Sequence, residues 1–458
     1  MSKRPAGTPS SGAPLARAMR PINTVVERWI PSALVFAIVL TAIVALLALT
    51  VTQTNPVEVV SAWGDGLAGL LAFMTQMALI LLLGHMLANT RPVRRLLTAL
   101  SALPQTPLQA YLFVFVIAAV ASLITWGLGL VVGGLLAREV AASGKERGLT
   151  LHFPMLVAAG FSGFVVWHMG YSGSGPLTAA TPDSFIAEHL GGEVIPITAT
   201  TFALPNMIGA VATIVVVAVA LSLVAPRGSD TIVELQHDLR EQRAEQEEEV
   251  VTPADRIDGS RIVTLLVGAA LVCYLVVHFV QGGTLTLDIV NWSFLALIFL
   301  LVKNPFEIIR LTKEAASNVG EILLQFPLYA GILGIMTGSG LIQVFSDWFV
   351  SVSTPTTFGI LALLSAGLVN FFVPSGGGQF AVQAPILLDA AERLGVDPAI
   401  PIMAVAYGDQ WTNMIQPFWA LPLLAIAGLK MRDILGYTTI TLLASGAVFA
   451  AILLLWSL

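Results

Sequence analysis

The chain has 458 residues, 56% of them hydrophobic and 11% charged, with a mean hydropathy of +0.85. Soluble domains carry about 25% charged residues, so a soluble enzyme or binding module is excluded, and the length reads as one membrane domain of many spans. The net charge of −6 collects mostly in one loop, and the single cysteine, Cys273, excludes a disulfide framework or a thiolate metal site.

Residues 1–29 are polar and basic, with Lys3, Arg4, Arg17, Arg20 and Arg28 among Pro, Ser and Gly. They read as a disordered cytoplasmic arm. The apolar run from Ile30 to Val51 is long enough to cross a bilayer, which needs about 20 residues, and longer than the core of a cleaved signal. Further apolar runs fall near 66–89, 108–137, 153–180, 197–225, 262–281, 288–302, 318–340, 357–373, 399–427 and 433–457. The fold class is therefore an all-α integral membrane protein of about ten to twelve membrane elements. The 54–65 segment has no Lys or Arg and reads as an outer loop, while Arg91, Arg94 and Arg95 favour the cytoplasmic side. Arg138, Lys145 and Arg147 agree with that only if the 108–137 run is not one simple span.

Between 226 and 260 the composition turns charged: Glu234, Glu241, Glu245, Glu247, Glu248 and Glu249 alternate with Arg240 and Arg243. This reads as a solvated helical linker between a first repeat, 30–225, and a second, 261–458. Matching features recur in the same order. QMALILLLGHML from Gln76 precedes SLITWGLGLVVGG from Ser122 and GFVVWHMGYSGSGP from Gly163. QFPLYAGILGIM from Gln325 precedes GLVNFFVPSGGGQ from Gly367 and GDQWTNMIQP from Gly408. Duplication with Gly/Pro-interrupted spans in corresponding places points to a secondary transporter. Backbone without helical hydrogen bonds survives at membrane depth only inside protein or beside a wet cavity, and broken helices present termini that attract ions.

Four interrupted segments carry the candidate site. In Val373 to Gln379, Pro374 breaks the helix, Gly376, Gly377 and Gly378 let a ligand approach backbone N–H groups, and Ser375 and Gln379 add neutral hydrogen bonds. With Asn370 just before it, this run resembles the tip of a re-entrant hairpin. In Tyr407 to Pro417, Asp409 is the outstanding intramembrane acid, costly unless it faces a cavity. It is the candidate for a coupling cation or proton, beside Trp411, Thr412 and Asn413. In Trp167 to Pro176, Ser172 and Ser174 offer hydroxyls and His168 offers an imidazole, a side chain suited to proton exchange. Thr125 and Trp126 match the Ser375 tip by position. The substrate-binding set is thus Thr125, Trp126, Ser172, Ser174, Ser375, Gly376, Gly377, Gly378, Gln379, Trp411 and Asn413; the coupling-ion set is His168, Asn370, Asp409 and Thr412. Gln76, His85, Asn206 and Gln325 are weaker candidates that read as packing. No Lys or Arg lies deep in these segments, which suits a monocarboxylate better than a dicarboxylate. Trp126, Phe371, Phe372, Trp411, Phe418 and Trp419 supply an apolar wall for its tail.

These same stretches resemble the bacterial short-chain fatty acid transporters, through WGDG from Trp63, WGLGLVVGGLLAREV from Trp126, SGSGPLTAATP from Ser172, VPSGGG from Val373 and AVAYGDQWTNMIQPFWALPLLAIAG from Ala404. The resemblance implies a multi-pass carrier of short-chain monocarboxylates, such as butyrate or acetoacetate, in the bacterial cytoplasmic (inner) membrane. It also implies a superfamily of ion-coupled symporters with two inverted repeats and re-entrant hairpins. No cofactor, metal ligand set or nucleic-acid partner is expected; the coupling ion is H+ or Na+, and a homodimer is possible. Alternatives are a carrier of C4-dicarboxylates or amino acids, a passive channel, and an intramembrane serine protease built on Ser172, in Gly170-Tyr171-Ser172-Gly173, with His278 as base. No P-loop is present, which disfavours a primary pump.

Overall fold

The computed structural model describes residues 33–226, 232–235, 252–316, 319–371, 373 and 375–458; among these it is helical, with no strand. The 1–29 arm, the acidic run 236–251, Phe372 and the helix-breaking role of Pro374 lie outside the described residues. Among the described residues, seven helical segments, the interrupted Phe153–His189 one of them, are long and apolar enough to cross a membrane, beside one bent pair and three shorter apolar helices, in line with the expected ten to twelve elements.

The first half opens with α1 (Ala33–Thr50) and α2 (Pro56–Gly66). The 54–65 segment is thus a helix and not the expected loop. Asn55 caps it, its side chain accepting from the Val57 N–H at 2.9 Å, and Pro56 supplies a preset first turn. The helix is held by α15 (Gly320–Gly338), whose Gly331 and Gly334 let Trp63 and Ala62 reach the backbone.

α3 (Leu71–Ala88) and the basic α4 (Arg91–Leu100) lead to α5 (Pro107–Ile124) and α6 (Trp126–Glu146). Thr125 alone joins the last two, in an extended conformation (φ −156°, ψ 141°). α6 folds back along α5. Its end returns to the start of α5, where Arg147 donates to the carbonyls of Ala102 (2.9 Å) and Pro104 (2.7 Å). The 108–137 run is therefore a helical hairpin, which brings Lys145 and Arg147 back beside the segment that follows α4.

α7 (Phe153–Ser162) continues as a 3-10 turn, Gly163–Met169, breaks, and resumes as α8 (Ser174–Ala180). α9 (Phe185–His189) and α10 (Leu204–Val224) complete the half. Of the expected helical linker, Pro253–Asp258 (α11) is helical, with a Thr252/Asp255 capping box. Residues 232–235 instead lie along the start of α7: Val233 donates to His152 Nδ1 at 3.1 Å and accepts from the Phe153 N–H at 2.8 Å.

α12 (Arg261–Val280), α13 (Leu287–Leu301) and α14 (Pro305–Ala316) precede the second series. α15 bends by 78° into α16 (Leu341–Val352). α17 (Pro355–Asn370) and α18 (Gly376–Leu394) form a second hairpin. α18 returns to α16, where Arg393 pairs with Asp347 at 2.5 Å, the counterpart of the Arg147 clamp. α19 (Ala399–Thr412), a 3-10 turn Asn413–Ile415 and α20 (Pro417–Ala427) form a second broken helix, and α21 (Met431–Trp456) closes the chain. The order helix, helix, hairpin, broken helix, long helix therefore occurs twice. The halves interlock crosswise, since α6 packs on α20 and α18 packs on α8.

Glycines set these close approaches. A Cβ on Gly160 of α7 would meet the Gly133 carbonyl of α6 at 2.6 Å, and one on Gly133 would meet the Gly160 carbonyl at 2.7 Å. Gly160→Leu is expected to force the pair apart and to destabilise by about 1–3 kcal/mol. A thermal unfolding midpoint in detergent unchanged from wild type would contradict this packing.

Candidate functional site

The site forms where the two breaks meet the two hairpin tips. The first break is pinned by contact with α5: the Tyr171 N–H donates to the Leu123 carbonyl at 2.6 Å, and Gly170 lies so close to Leu123 that no side chain fits. This places Ser172 and Ser174, both fully buried, just beyond the Thr125 tip. Immediately before the break, Trp167 and His168 are neighbours on a tight 3-10 turn, their ring centroids 3.5 Å apart. His168 faces the second break, and Trp167 packs with Trp126 and Trp419.

His168 Nε2 stands 2.9 Å from Asp409 Oδ2, both side chains 1% exposed, although the ring N–H is not aligned as a hydrogen bond. The His168 backbone N–H donates to Gln410 Oε1 at 2.9 Å, so the second broken helix holds the turn as well as the ring. Asn370, at the end of α17, aims Nδ2 at three oxygens: the Asp409 carbonyl (2.9 Å), Thr412 Oγ1 (2.9 Å) and Asn413 Oδ1 (2.6 Å). Asn413 Nδ2 in turn reaches Asp409 Oδ2 at 3.3 Å, and Gln416 Nε2 donates to the Asn370 carbonyl at 2.5 Å. Asp409, Asn370, Thr412, Asn413 and His168 thus form one network, which Gln410 and Gln416 join.

The second tip closes over this network. Ser375 caps α18, its Oγ accepting from the Gly378 N–H at 3.2 Å. A Cβ on Gly376 would lie 2.6 Å from His168 Nε2 and 2.7 Å from the Trp167 ring. Gly377 packs against Phe73 and Phe326, and Gly378 against Tyr329. In the sequence the three glycines offer an opening for a ligand to reach bare N–H groups. At Gly377 and Gly378 the space a side chain would fill is taken by aromatic rings. Gln379 Nε2 bonds the Ala366 carbonyl (2.8 Å) and Gln383 Oε1 (3.0 Å), leaving its own Oε1 unpartnered.

Trp411 does not join the site. Its Nε1–H donates to the Leu442 carbonyl at 2.7 Å and its ring fills a notch between Gly367 and Gly446, so it ties α19 to α17 and α21. Among the weaker candidates, Asn206 bonds the carbonyls of Met169 and Thr201 and accepts from Tyr407, and Gln76 pairs with Asp288; both tie elements together. Ser172 Oγ has no protein partner, and His278 bonds the Thr284 carbonyl through Nε2, so the protease reading lacks a base within reach of its nucleophile.

Buried polar atoms without a protein partner gather here: Oγ of Ser172 and Ser174, Oγ1 of Thr125, Oδ1 of Asn370 and Asp409, Nδ1 of His168 and Nε2 of Gln410. Such groups are rare in folded proteins and call for an explanation. A bound polar ligand or ion supplies one. No Lys or Arg is buried among the described residues.

The model of the short chain fatty acid transporter family matches residues 14–456. The chain belongs to this family. It is therefore a multi-pass membrane transporter and not an enzyme. An Escherichia coli (strain K12) protein assigned as a short-chain fatty acid transporter is 42% identical over 439 residues, covering 95% of this chain and 98% of the relative. A similarly assigned protein of Haemophilus influenzae (strain ATCC 51907 / DSM 11121 / KW20 / Rd) is 34% identical, covering 95% and 98%. Among solved structures, Neisseria gonorrhoeae MtrF, described as illuminating a class of antimetabolite efflux pumps, superposes with a TM-score of 0.57 at 17% identity, covering 95% of this chain and 97% of its own. That likeness bears on the fold alone.

Proposed function

We propose that the protein carries short-chain monocarboxylates across a bacterial cytoplasmic membrane by alternating access, coupled to a proton held by the His168–Asp409 pair. The observation that carries the reading is this pair, 2.9 Å apart and shut away from solvent, with the unpartnered hydroxyls of Ser172 and Ser174 in the same broken segment as His168. A buried carboxylate next to an imidazole holds one proton as a net-neutral pair, and losing that proton leaves a carboxylate charge that water or a cation must offset. The crosswise packing of α6 on α20 and of α18 on α8 supports two inverted repeats, and the returning arms of the hairpins support re-entrant tips that meet at the midplane. The absence of buried Lys and Arg among the described residues favours one carboxylate over two, because a second would be desolvated without a counter-charge.

Sodium is the second reading, favoured by one observation. Asn370 Nδ2 has two hydrogens but faces three oxygens, and these, with the Asp409 carboxylate, form an oxygen-rich corner of the kind hard cations use.

The test is uptake of labelled butyrate and acetoacetate into proteoliposomes under separately imposed proton and sodium gradients. Saturable accumulation driven by the proton gradient is expected. Accumulation driven by sodium alone would transfer the coupling to the Asn370 corner. Failure under both gradients, with folded protein, would overturn the substrate assignment.

A further inference from the structure

Trp126, Trp167 and Trp419 come from three separate elements and pack as one cluster: Trp126 opens α6, Trp167 lies on the 3-10 turn, and Trp419 lies on α20. Their ring centroids are 6.2 Å (Trp126–Trp167), 5.4 Å (Trp126–Trp419) and 6.3 Å (Trp167–Trp419) apart. They are 6%, 1% and 8% exposed. Phe164 stacks on Trp167 at 5.6 Å and closes one side. Packing alone accounts for rings at these distances. It does not account for the nitrogens.

All three indole N–H groups lack a hydrogen-bond partner in the protein, and so does Thr125 Oγ1 beside Trp126. Indole nitrogen only donates, and a buried donor without an acceptor is destabilising. Trp411 shows the ordinary solution, its N–H placed on the Leu442 carbonyl. Trp63 Nε1 is also unpartnered, but it lies against Gly331 and outside this cluster. Three unpartnered donors in one apolar cluster, with no buried Lys or Arg among the described residues, match an occupant that accepts and does not donate. An ionised carboxylate is such a group.

We propose that the indole N–H groups of Trp126, Trp167 and Trp419, with the Thr125 hydroxyl, hold the substrate carboxylate, while the rings flank its first carbons. This rests on the monocarboxylate reading above and changes one part of it: Trp126 and Trp419, placed there on the apolar wall for the tail, become donors for the head group. It also gives selectivity a physical basis. Neutral donors suffice for one carboxylate, whereas an amide would set its own N–H groups against them.

The test replaces each tryptophan in turn by phenylalanine, which keeps an aromatic ring and deletes the N–H. Butyrate KM in proteoliposomes is expected to rise by about tenfold per substitution, equivalent to about 1.4 kcal/mol, with the preference order from acetate to hexanoate kept. A KM within about two-fold of wild type in all three variants, or a changed chain-length order at nearly constant KM, would overturn the proposal and leave the rings as a tail wall. Should a variant fail to fold, thermal protection of the wild type decides: butyrate is expected to protect and butyramide not, and equal protection by both would overturn it. A wild type that neither transports nor binds any short-chain acid defeats the monocarboxylate reading itself, an outcome separate from these.

Discussion

Replacing Asp409 with asparagine is expected to abolish gradient-driven accumulation of butyrate, lowering the inside-to-outside ratio to equilibrium, while butyrate exchange falls much less. Asparagine keeps the shape and the hydrogen bond to Asn413 but cannot take a proton, so the pair with His168 loses its titratable acid. The substitution is not inert structurally, because an amide beside His168 Nε2 presents either an oxygen or an N–H depending on its flip. The comparison of accumulation with exchange separates the two effects. A structural role predicts equal loss of both, and that result would remove Asp409 from coupling. An aspartate that remained dispensable for accumulation would do the same.

The second large effect is expected at Gly376. Its missing side chain is what allows the α18 tip to touch His168 Nε2 and Trp167 together, at 2.6 and 2.7 Å from the position a Cβ would occupy. Gly376→Val must therefore push the tip and the 3-10 turn apart. Displacements of about 1 Å at a reacting constellation can reduce rate by about 10²-fold, and a loss of that size in butyrate uptake is expected, with membrane insertion retained. Gly64→Ala is the control, since a Cβ there meets nothing within 4 Å. Uptake by Gly376→Val equal to that of the control would show that the tip does not seat on this turn during transport.

Much of this arrangement could be read from residue order. Interruption of apolar runs at Thr125–Trp126, Gly170–Ser174, the glycine run from Gly376 and Asn413–Pro417 marked where the helices end or break, because Gly, Pro and polar residues are disfavoured at membrane depth unless the backbone turns inward. Asp409, Asn370 and Thr412 stood out for the same reason, as polar groups in apolar surroundings. Side-chain direction was not legible. Trp411 and Trp419 lie eight residues apart across a break, and only the changed phase of the chain through Asn413–Ile415 sends one to Leu442 and the other to Trp126. Gln410 was visible as a polar neighbour of Asp409, yet its bond to the His168 N–H joins residues 242 apart in sequence. α2 was missed although Asn55-Pro56 is a helix-start signal, because Glu58 and Asp65 obscured its apolar face.

The 3-10 turn that carries Trp167 and His168 has a mechanical consequence. Coupling between a proton and a solute is usually imagined as a relay across some distance, with each intermediate contact adding its own slack. Here the two side chains hang from consecutive α-carbons, joined by a planar peptide that resists twisting. A rotation of that turn large enough to draw His168 from Asp409 must also swing the Trp167 indole, whichever event comes first. If the pair holds the coupled proton as proposed, a stiff turn limits slippage, in which one cargo moves without the other, and Gln410 holds that turn by its backbone.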